Sequence, residues 1–262
     1  MSIVSGFLFN KRLGQNFILD EVFLEHIVAE LDLAPDETVV EVGTGAGTLT
    51  RVLARKVKRV VTFEVDGRLR QLLWKQFAEF KNIQLRLENA LRADMPAGKY
   101  SVVANIPYYI TTPLIWRFMA DVNCTRICVL VAEDVARRIA ADPGGKDYGA
   151  LTVGIRAQAD CRIIRHVPRA CFVPEPNVDS AFVVIEKRRG AAKISDAFLK
   201  KIFSARRKTI LNALGGNKEI ARNILTAVGI PESARPEQIA PDKFIQLSAK
   251  LAETLAWKSA IS

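Results

Sequence analysis

The chain has little of what metal centres, disulfide scaffolds and membrane anchors require. Its 262 residues hold four cysteines, Cys124, Cys128, Cys161 and Cys171, and two histidines, His26 and His166. No CxxC pair occurs, and the Cys124/Cys128 spacing has no second ligand pair to match it. That argues against a structural zinc site and leaves buried free thiols as the reading. The longest apolar runs are strand-sized, too short to span a bilayer. The opening residues, Met1 to Phe7, lack the basic start and apolar centre of a secretory signal. A cytoplasmic or organelle-matrix protein without membrane contact or metal is therefore expected. Internal repeats and low-complexity tracts are also missing.

What is present is a chain 49% hydrophobic, enough for one sizeable core and a smaller annex. The net charge of +10 favours nucleic acid or another polyanion as partner. Seven apolar runs at 38–42, 59–64, 83–87, 100–104, 126–131, 162–167 and 181–186 read as strands. Helical patterns lie between most of them, at 48–56, 67–80, 113–120, 134–140 and 151–158, with another at 21–31 ahead of the first strand. Strands separated by helices predict a parallel sheet covered on both faces. The last two strands lack a clear intervening helix, so an antiparallel hairpin is expected at one edge. Past Lys187 apolar residues recur only at helical spacing, as in Phe198, Ile202, Phe203 and Ile210, Leu211, Leu214. The reading is two domains, 1–187 and an all-helical 188–262, joined by a linker at 188–193.

The first strand runs into Glu41-Val42-Gly43-Thr44-Gly45-Ala46-Gly47. Glycines at this point let the backbone turn tightly and approach a ligand. The spacing is GxGxG rather than the GxGxxG of dinucleotide sites. Glu64 ends the second strand, where a carboxylate can accept from both hydroxyls of a ribose. A nucleoside without a pyrophosphate, such as S-adenosylmethionine, suits this arrangement; an NAD-type loop or a plain strand–helix turn is the alternative. Asn89, just past the third strand, is positioned to accept from an adenine amino group through its amide oxygen.

Asn105-Ile106-Pro107-Tyr108 closes the fourth strand. Asn105 supplies a side-chain carbonyl acceptor. Pro107 restricts Ile106 to an extended conformation, which turns its carbonyl outward as a second acceptor. Tyr108 supplies a stacking face. Two acceptors on one exocyclic amine would draw its lone pair out of conjugation. The bland alternative for the tetrapeptide is a strand ending in a proline turn.

Five segments in order resemble the family of ribosomal RNA adenine dimethyltransferases that modify the small subunit. They are Lys11-Arg12-Leu13-Gly14-Gln15-Asn16-Phe17-Ile18, the glycine loop, Asn105–Tyr108, Phe172-Val173-Pro174-Glu175-Pro176-Asn177-Val178-Asp179-Ser180, and Phe203-Ser204-Ala205-Arg206-Arg207-Lys208-Thr209. The resemblance implies a Rossmann-like class I methyltransferase domain, with a mostly parallel seven-stranded sheet, plus a small all-helical RNA-engaging domain. It implies S-adenosylmethionine as cofactor, held by Asn16, Ile18, Gly43, Gly45, Glu64, Asn89 and Asn105. Tyr108 and Phe172 would hold the target adenine, and Asn105, Ile106, Pro107 and Tyr108 would carry the reaction. The substrate would be adjacent adenines in ribosomal RNA of the immature small subunit, dimethylated by a monomer. Between Lys187 and Lys208 nine residues are basic and one, Asp196, is acidic. Arg206, Arg207 and Lys208 are the expected RNA contacts, with a solvated helix face as the alternative.

Two departures from the family pattern stand out. Asn89 replaces the usual Asp, which predicts weaker cofactor binding. Ala132-Glu133-Asp134 replaces a basic-containing triplet near the substrate face. Rival readings are a macrolide-resistance methyltransferase acting on large-subunit RNA, and an RNA-binding assembly factor without turnover.

Overall fold

The computed structural model of the protein describes residues 3–4, 7–8 and 13–260, with side chains from 13 to 254. Lys11 and Arg12 of the N-terminal motif lie outside the described residues. β1 (Ile3–Val4) and β2 (Phe7–Leu8) pair antiparallel. The main sheet is built from β3 (Thr38–Val42), β4 (Arg59–Phe63), β5 (Ile83–Arg86), β6 (Tyr100–Asn105), β7 (Cys124–Ala132), β8 (Ala159–Val167) and β9 (Ser180–Lys187). Its order is β5-β4-β3-β6-β7-β9-β8. The five strands from β5 to β7 pair in parallel, and β9 pairs antiparallel with β7. The two final strands thus form the irregular edge foreseen from the missing helix.

Central strands read Val39-Val40, Val60-Val61 and Val102-Val103-Ala104 because both faces are covered by helices, and all seven residues are buried. On one face α1 (Glu21–Ala29) and α2 (Thr48–Ala54) bury Leu24, Ile27, Leu49, Val52 and Leu53 in the main core. Asp20 caps α1 by accepting from the Phe23 amide at 3.0 Å. After β4 a short turn at Gly67–Leu69 leads into α3 (Arg70–Phe77), where one helix was expected over 67–80. α4 (Thr111–Ala120) follows β6, and α5 (Glu133–Ala140) follows β7. The chain leaves β3 toward β4 and β5, then returns to β6 on the other side. Strand order reverses between β3 and β6, and the crevice at their carboxyl ends is where open α/β sheets bind ligands.

The chain divides into two compact units, 1–136 with 162–187, and 137–161 with 188–262. The stretch 137–161 therefore groups with the helical residues, whereas sequence patterning assigns it to the first domain. Side chains explain the grouping. Tyr148, Val153 and Ala157 share one apolar cluster with Leu199, Ile202, Leu225 and Phe244. The Tyr148 hydroxyl donates to the Ile239 carbonyl at 2.7 Å, and its ring lies 6.2 Å from that of Phe203. The helices of this unit are α6 (Ala150–Arg156), α7 (Asp196–Ser204), α8 (Ile210–Leu214), α9 (Lys218–Ala227) and α10 (Pro241–Ala260). Cys124 and Cys128 are buried, while Cys161 and Cys171 are only half-buried. Among the described residues no helix is long and apolar enough to cross a membrane, and no cluster of His, Cys, Asp and Glu could hold a metal.

Candidate active site

A cavity of about 400 Å³ opens at the reversal point, within the size range of small-ligand sites. Its floor is the glycine loop. Gly43, Gly45 and Gly47 all have φ between 55° and 82°, a left-handed backbone that side chains resist. A Cβ on Gly45 would sit 2.6 Å from Cε1 of Phe17, so the loop and the N-terminal segment touch through bare backbone. Amides of Gly43 and Thr44 donate to the Phe63 carbonyl at 2.8 and 3.3 Å, which pins the loop to the end of β4.

Glu64 stands beside that floor. One carboxylate oxygen accepts from the amides of Val65 and Asp66, both at 2.8 Å; the other accepts from the Gly45 amide at 2.9 Å. Burial pushes the carboxyl's pKa up, and the three amide bonds oppose that shift. A carboxylate offers about four lone-pair sites, so acceptor capacity remains for a ligand hydroxyl. Behind the loop, Glu41 is fully buried and accepts from the hydroxyls of Thr50 and Thr62 at 2.6 Å each. Desolvation raises its pKa to about 8.

The acceptors lie on the adjoining strand end, where a Cβ on Gly43 would come within 3.5 Å of the Asn105 carbonyl. Asn105, half-buried at the tip of β6, donates from Nδ2 to the Asn16 carbonyl at 2.8 Å. That bond fixes the amide and leaves Oδ1 uncommitted among the described residues. Ile106 is buried, and no described group donates to its carbonyl, whereas the Pro107 carbonyl accepts from the Ile110 amide at 3.1 Å. The Tyr108 hydroxyl shares a 2.6 Å hydrogen bond with Ser180 Oγ, and desolvation moves its pKa upward.

A strap over residues 13–17 crosses this cavity. Gln15 Nε2 donates to Asp66 at 2.9 Å. Phe17 and Val173 exchange backbone bonds of 2.9 and 2.8 Å. The side-chain nitrogen of Asn16 donates to the carbonyls of Pro174 and Gln15 at 3.0 and 3.2 Å.

The cavity brings together Asn16, Gly43, Gly45, Glu64, Asn89 and Asn105 with Ile106, Pro107 and Tyr108. It does not bring Ile18 or Phe172 to its lining. Both belong to the apolar core, at 5% and 2% exposure, because each flanks the Phe17–Val173 bridge and turns inward from it. Asn89 lines the cavity, and its Oδ1 accepts from the Leu91 amide at 2.9 Å in a local turn, which leaves the oxygen's second lone pair and the NH2 for a ligand. Sequence reasoning gave no role to Gln15, Val65 or Tyr109, which also line the cavity. Of these, Tyr109 adjoins a motif already singled out.

In the helical unit Arg207 and Lys208 are exposed. Arg206 is not a free cation: both terminal nitrogens donate to the Lys146 carbonyl at 3.2 Å, and Nε lies 3.7 Å from Glu237. It braces its own unit.

Chemically, the cavity sets a glycine floor with a carboxylate at one end beside two oxygens that no described group donates to and a tyrosine ring. Comparison with known proteins bears on what it does. Residues 6–253 match the family model described as ribosomal RNA adenine dimethylase. The chain is 38% identical over 270 residues to the Ribosomal RNA small subunit methyltransferase A of Geobacillus kaustophilus (strain HTA426), covering 94% of this chain and 92% of that one. The crystal structure of the 23S rRNA methyltransferase ErmE matches with a TM-score of 0.75 at 24% identity, covering 90% of this chain and 100% of that one. A dimethyladenosine transferase from Plasmodium falciparum matches at 0.77 and 22%, covering 88% and 96%. At these identities the two structures establish the fold alone, a Rossmann-like methyltransferase fold with a seven-stranded sheet. The extent of the family match and the similarity to the Geobacillus protein go further: this chain belongs to the ribosomal RNA adenine dimethylase family.

Proposed function

We propose that the protein transfers methyl groups from S-adenosylmethionine to the exocyclic amines of adjacent adenines in small-subunit ribosomal RNA, giving dimethyladenosine. It acts as a monomer on the immature subunit in the cytoplasm. The observation that carries the reading is the pairing of two uncommitted acceptors, Asn105 Oδ1 and the Ile106 carbonyl, with the Glu64-anchored glycine floor across one cavity.

The cofactor, when bound, supplies an already activated sulfonium methyl. Glu64 would accept from a ribose hydroxyl, Gly43 and Gly45 would bring bare backbone to the ligand, and Asn89 would meet the adenine edge with its amide. The chain's remaining task is to position a weak nucleophile, and positioning contributes at best roughly 7–11 kcal/mol. Adenine's amine is weak because its lone pair is conjugated with the ring. Oδ1 of Asn105 and the carbonyl of Ile106 accept from the two N–H groups and favour the pyramidal, cation-like amine of the transition state. The target base must leave its stack to reach them, and Tyr108 offers a face for it. Phe172, buried in the core, braces the wall instead of sandwiching the base. No general base is needed before attack; the proton leaves to water afterwards. Arg207 and Lys208 neutralise phosphates, so RNA affinity falls steeply with salt.

The test is mass spectrometry of nucleosides after incubating immature small and large subunits separately with the protein and isotope-labelled S-adenosylmethionine. Labelled N6,N6-dimethyladenosine in the small-subunit RNA is the expected result. Label confined to the large subunit would reassign the protein to macrolide-resistance-type chemistry. RNA binding without any label would make it an assembly factor.

A further inference from the structure

Tyr109 has no part in the chemistry above, yet it lines the cavity and keeps 60% of its surface exposed. It shares a 3-10 turn, Tyr108–Ile110, with Tyr108. Side chains of consecutive residues in such a turn diverge by roughly 120°, since three residues complete one turn. Tyr108 accordingly reaches Ser180, while Tyr109 goes to the strap. There Gly14, at φ +62°, makes room for it. A Cβ on Gly14 would lie 3.3 Å from Cδ1 and Cε1 of the ring and 3.5 Å from Pro107 Cβ. One side of the ring therefore rests on bare backbone, and the turn beneath it is pinned by the bond from the Ile110 amide to the Pro107 carbonyl. No described group bonds its hydroxyl. Val65, also exposed at the cavity, has no π face, and the exposed Trp74 lies outside the lining.

We propose that Tyr109 is a second base subsite, stacking the nucleobase that adjoins the target adenine in the strand. The proposal rests on the adenine-methyltransferase reading and deepens it. Extruding one base strips its neighbour of a stacking partner, and an aromatic ring held at the rim replaces that partner. Two rings splayed from one turn thus suit two successive bases splayed from one strand. Where both are targets, the ring holds the adenine that waits while Tyr108 holds the one that reacts.

The test uses the full-length protein and a small-subunit RNA hairpin carrying 2-aminopurine immediately 5′ or 3′ of the target adenine. Extrusion of the target leaves this reporter bright unless a ring covers it. Wild type and Tyr109→Phe should keep it quenched on one side of the target. Tyr109→Leu, which preserves apolar packing on Gly14, should let it brighten and raise KM for the RNA about tenfold, with cofactor affinity by calorimetry unchanged. Equal quenching in all three proteins, or no quenching in a wild type that methylates the hairpin, overturns the subsite. So does a Leu variant that loses cofactor affinity while its KM for RNA holds, since the ring would then belong to the cofactor. A wild type that binds cofactor but methylates no adenine overturns the underlying reading instead.

Discussion

The two walls of the cavity are built on opposite principles. On the glycine side most of the acceptor capacity is taken from within: both Glu64 oxygens accept backbone amides, with about one lone-pair site left over, and Glu41 is bonded by two threonines. On the Asn105 side the acceptors that matter are left open, and only the nitrogen of the amide is tied down. A wall that binds is held rigid by making most of its hydrogen bonds in advance. A wall that reacts keeps oxygens free and fixes their direction, so that no reorganisation is needed when charge develops. The contrast teaches that affinity and turnover should be separable here, and substitutions can test that separation.

The largest effect is expected from Asn105→Ala. Removing one preorganised partner of a developing charge costs on the order of 10²–10³ in rate. Single-turnover methylation should fall by at least that much, while calorimetry shows cofactor affinity within a few-fold of wild type. Parallel loss of both would erase the distinction between the walls. Gly45→Ala attacks the other side. The new Cβ would press on Phe17 at 2.6 Å, at φ +55°. Strain of this kind costs of order 1–3 kcal/mol, so thermal unfolding should shift down and cofactor affinity should drop with it.

Much of this contrast was legible from residue types. Val39-Val40 and Val102-Val103 announce buried parallel strands, the glycines announce a loop of positive φ, and Glu64 and Asn105 fall at strand ends where the reversal point collects them. These signals are local. What stayed hidden depends on partners far along the chain. Phe17 bridges to Val173, Gln15 to Asp66, and Asn16 to Asn105. None of these pairings leaves a periodic trace, so the strap that closes the cavity was visible only as a motif. The same limit explains Ile18 and Phe172: an apolar residue beside a loop bridge has two directions to face, and only the bridge's geometry chooses the core. Arg206 shows it for charge. A run of three basic residues reads as one surface, yet Glu237 and the Lys146 carbonyl claim its first member. Tyr148 and Val153 likewise carry no sequence sign that their packing partners are Leu199 and Phe244.

A pH-dependent effect sharpens the description of the glycine wall. Glu41 titrates near pH 8 in the folded protein against an ordinary value of 4.5, so the folded state holds this proton more tightly than the unfolded chain. Its contribution to stability is present below pH 4.5, declines as pH rises toward 8, and is level above that. Glu41→Gln keeps an oxygen for Thr50 and Thr62 but cannot ionise. The variant's stability relative to wild type should therefore rise between pH 5 and 8, by on the order of a few kcal/mol. Denaturant midpoints at pH 5, 6.5 and 8 measure it. A pH-independent difference would mean that the buried carboxyl gives up its proton at no cost.

The smallest effect lies on the reactive wall and concerns how that wall holds its ring. Tyr108 can present a face to the target base only while its direction is fixed, and its one polar tether among the described residues is the 2.6 Å bond to Ser180. Ser180 is fully buried and opens β9. Losing a neutral hydrogen bond of this kind costs about 1 kcal/mol, so Ser180→Ala should slow methylation by several-fold. Tyr108→Phe removes the same bond from the other end while keeping the stacking face, and should match it. If the bond is the whole connection, the double variant is no slower than either single one, because residues in contact do not add. If the two effects multiply instead, the hydroxyls act separately, and the ring's direction is set by packing alone.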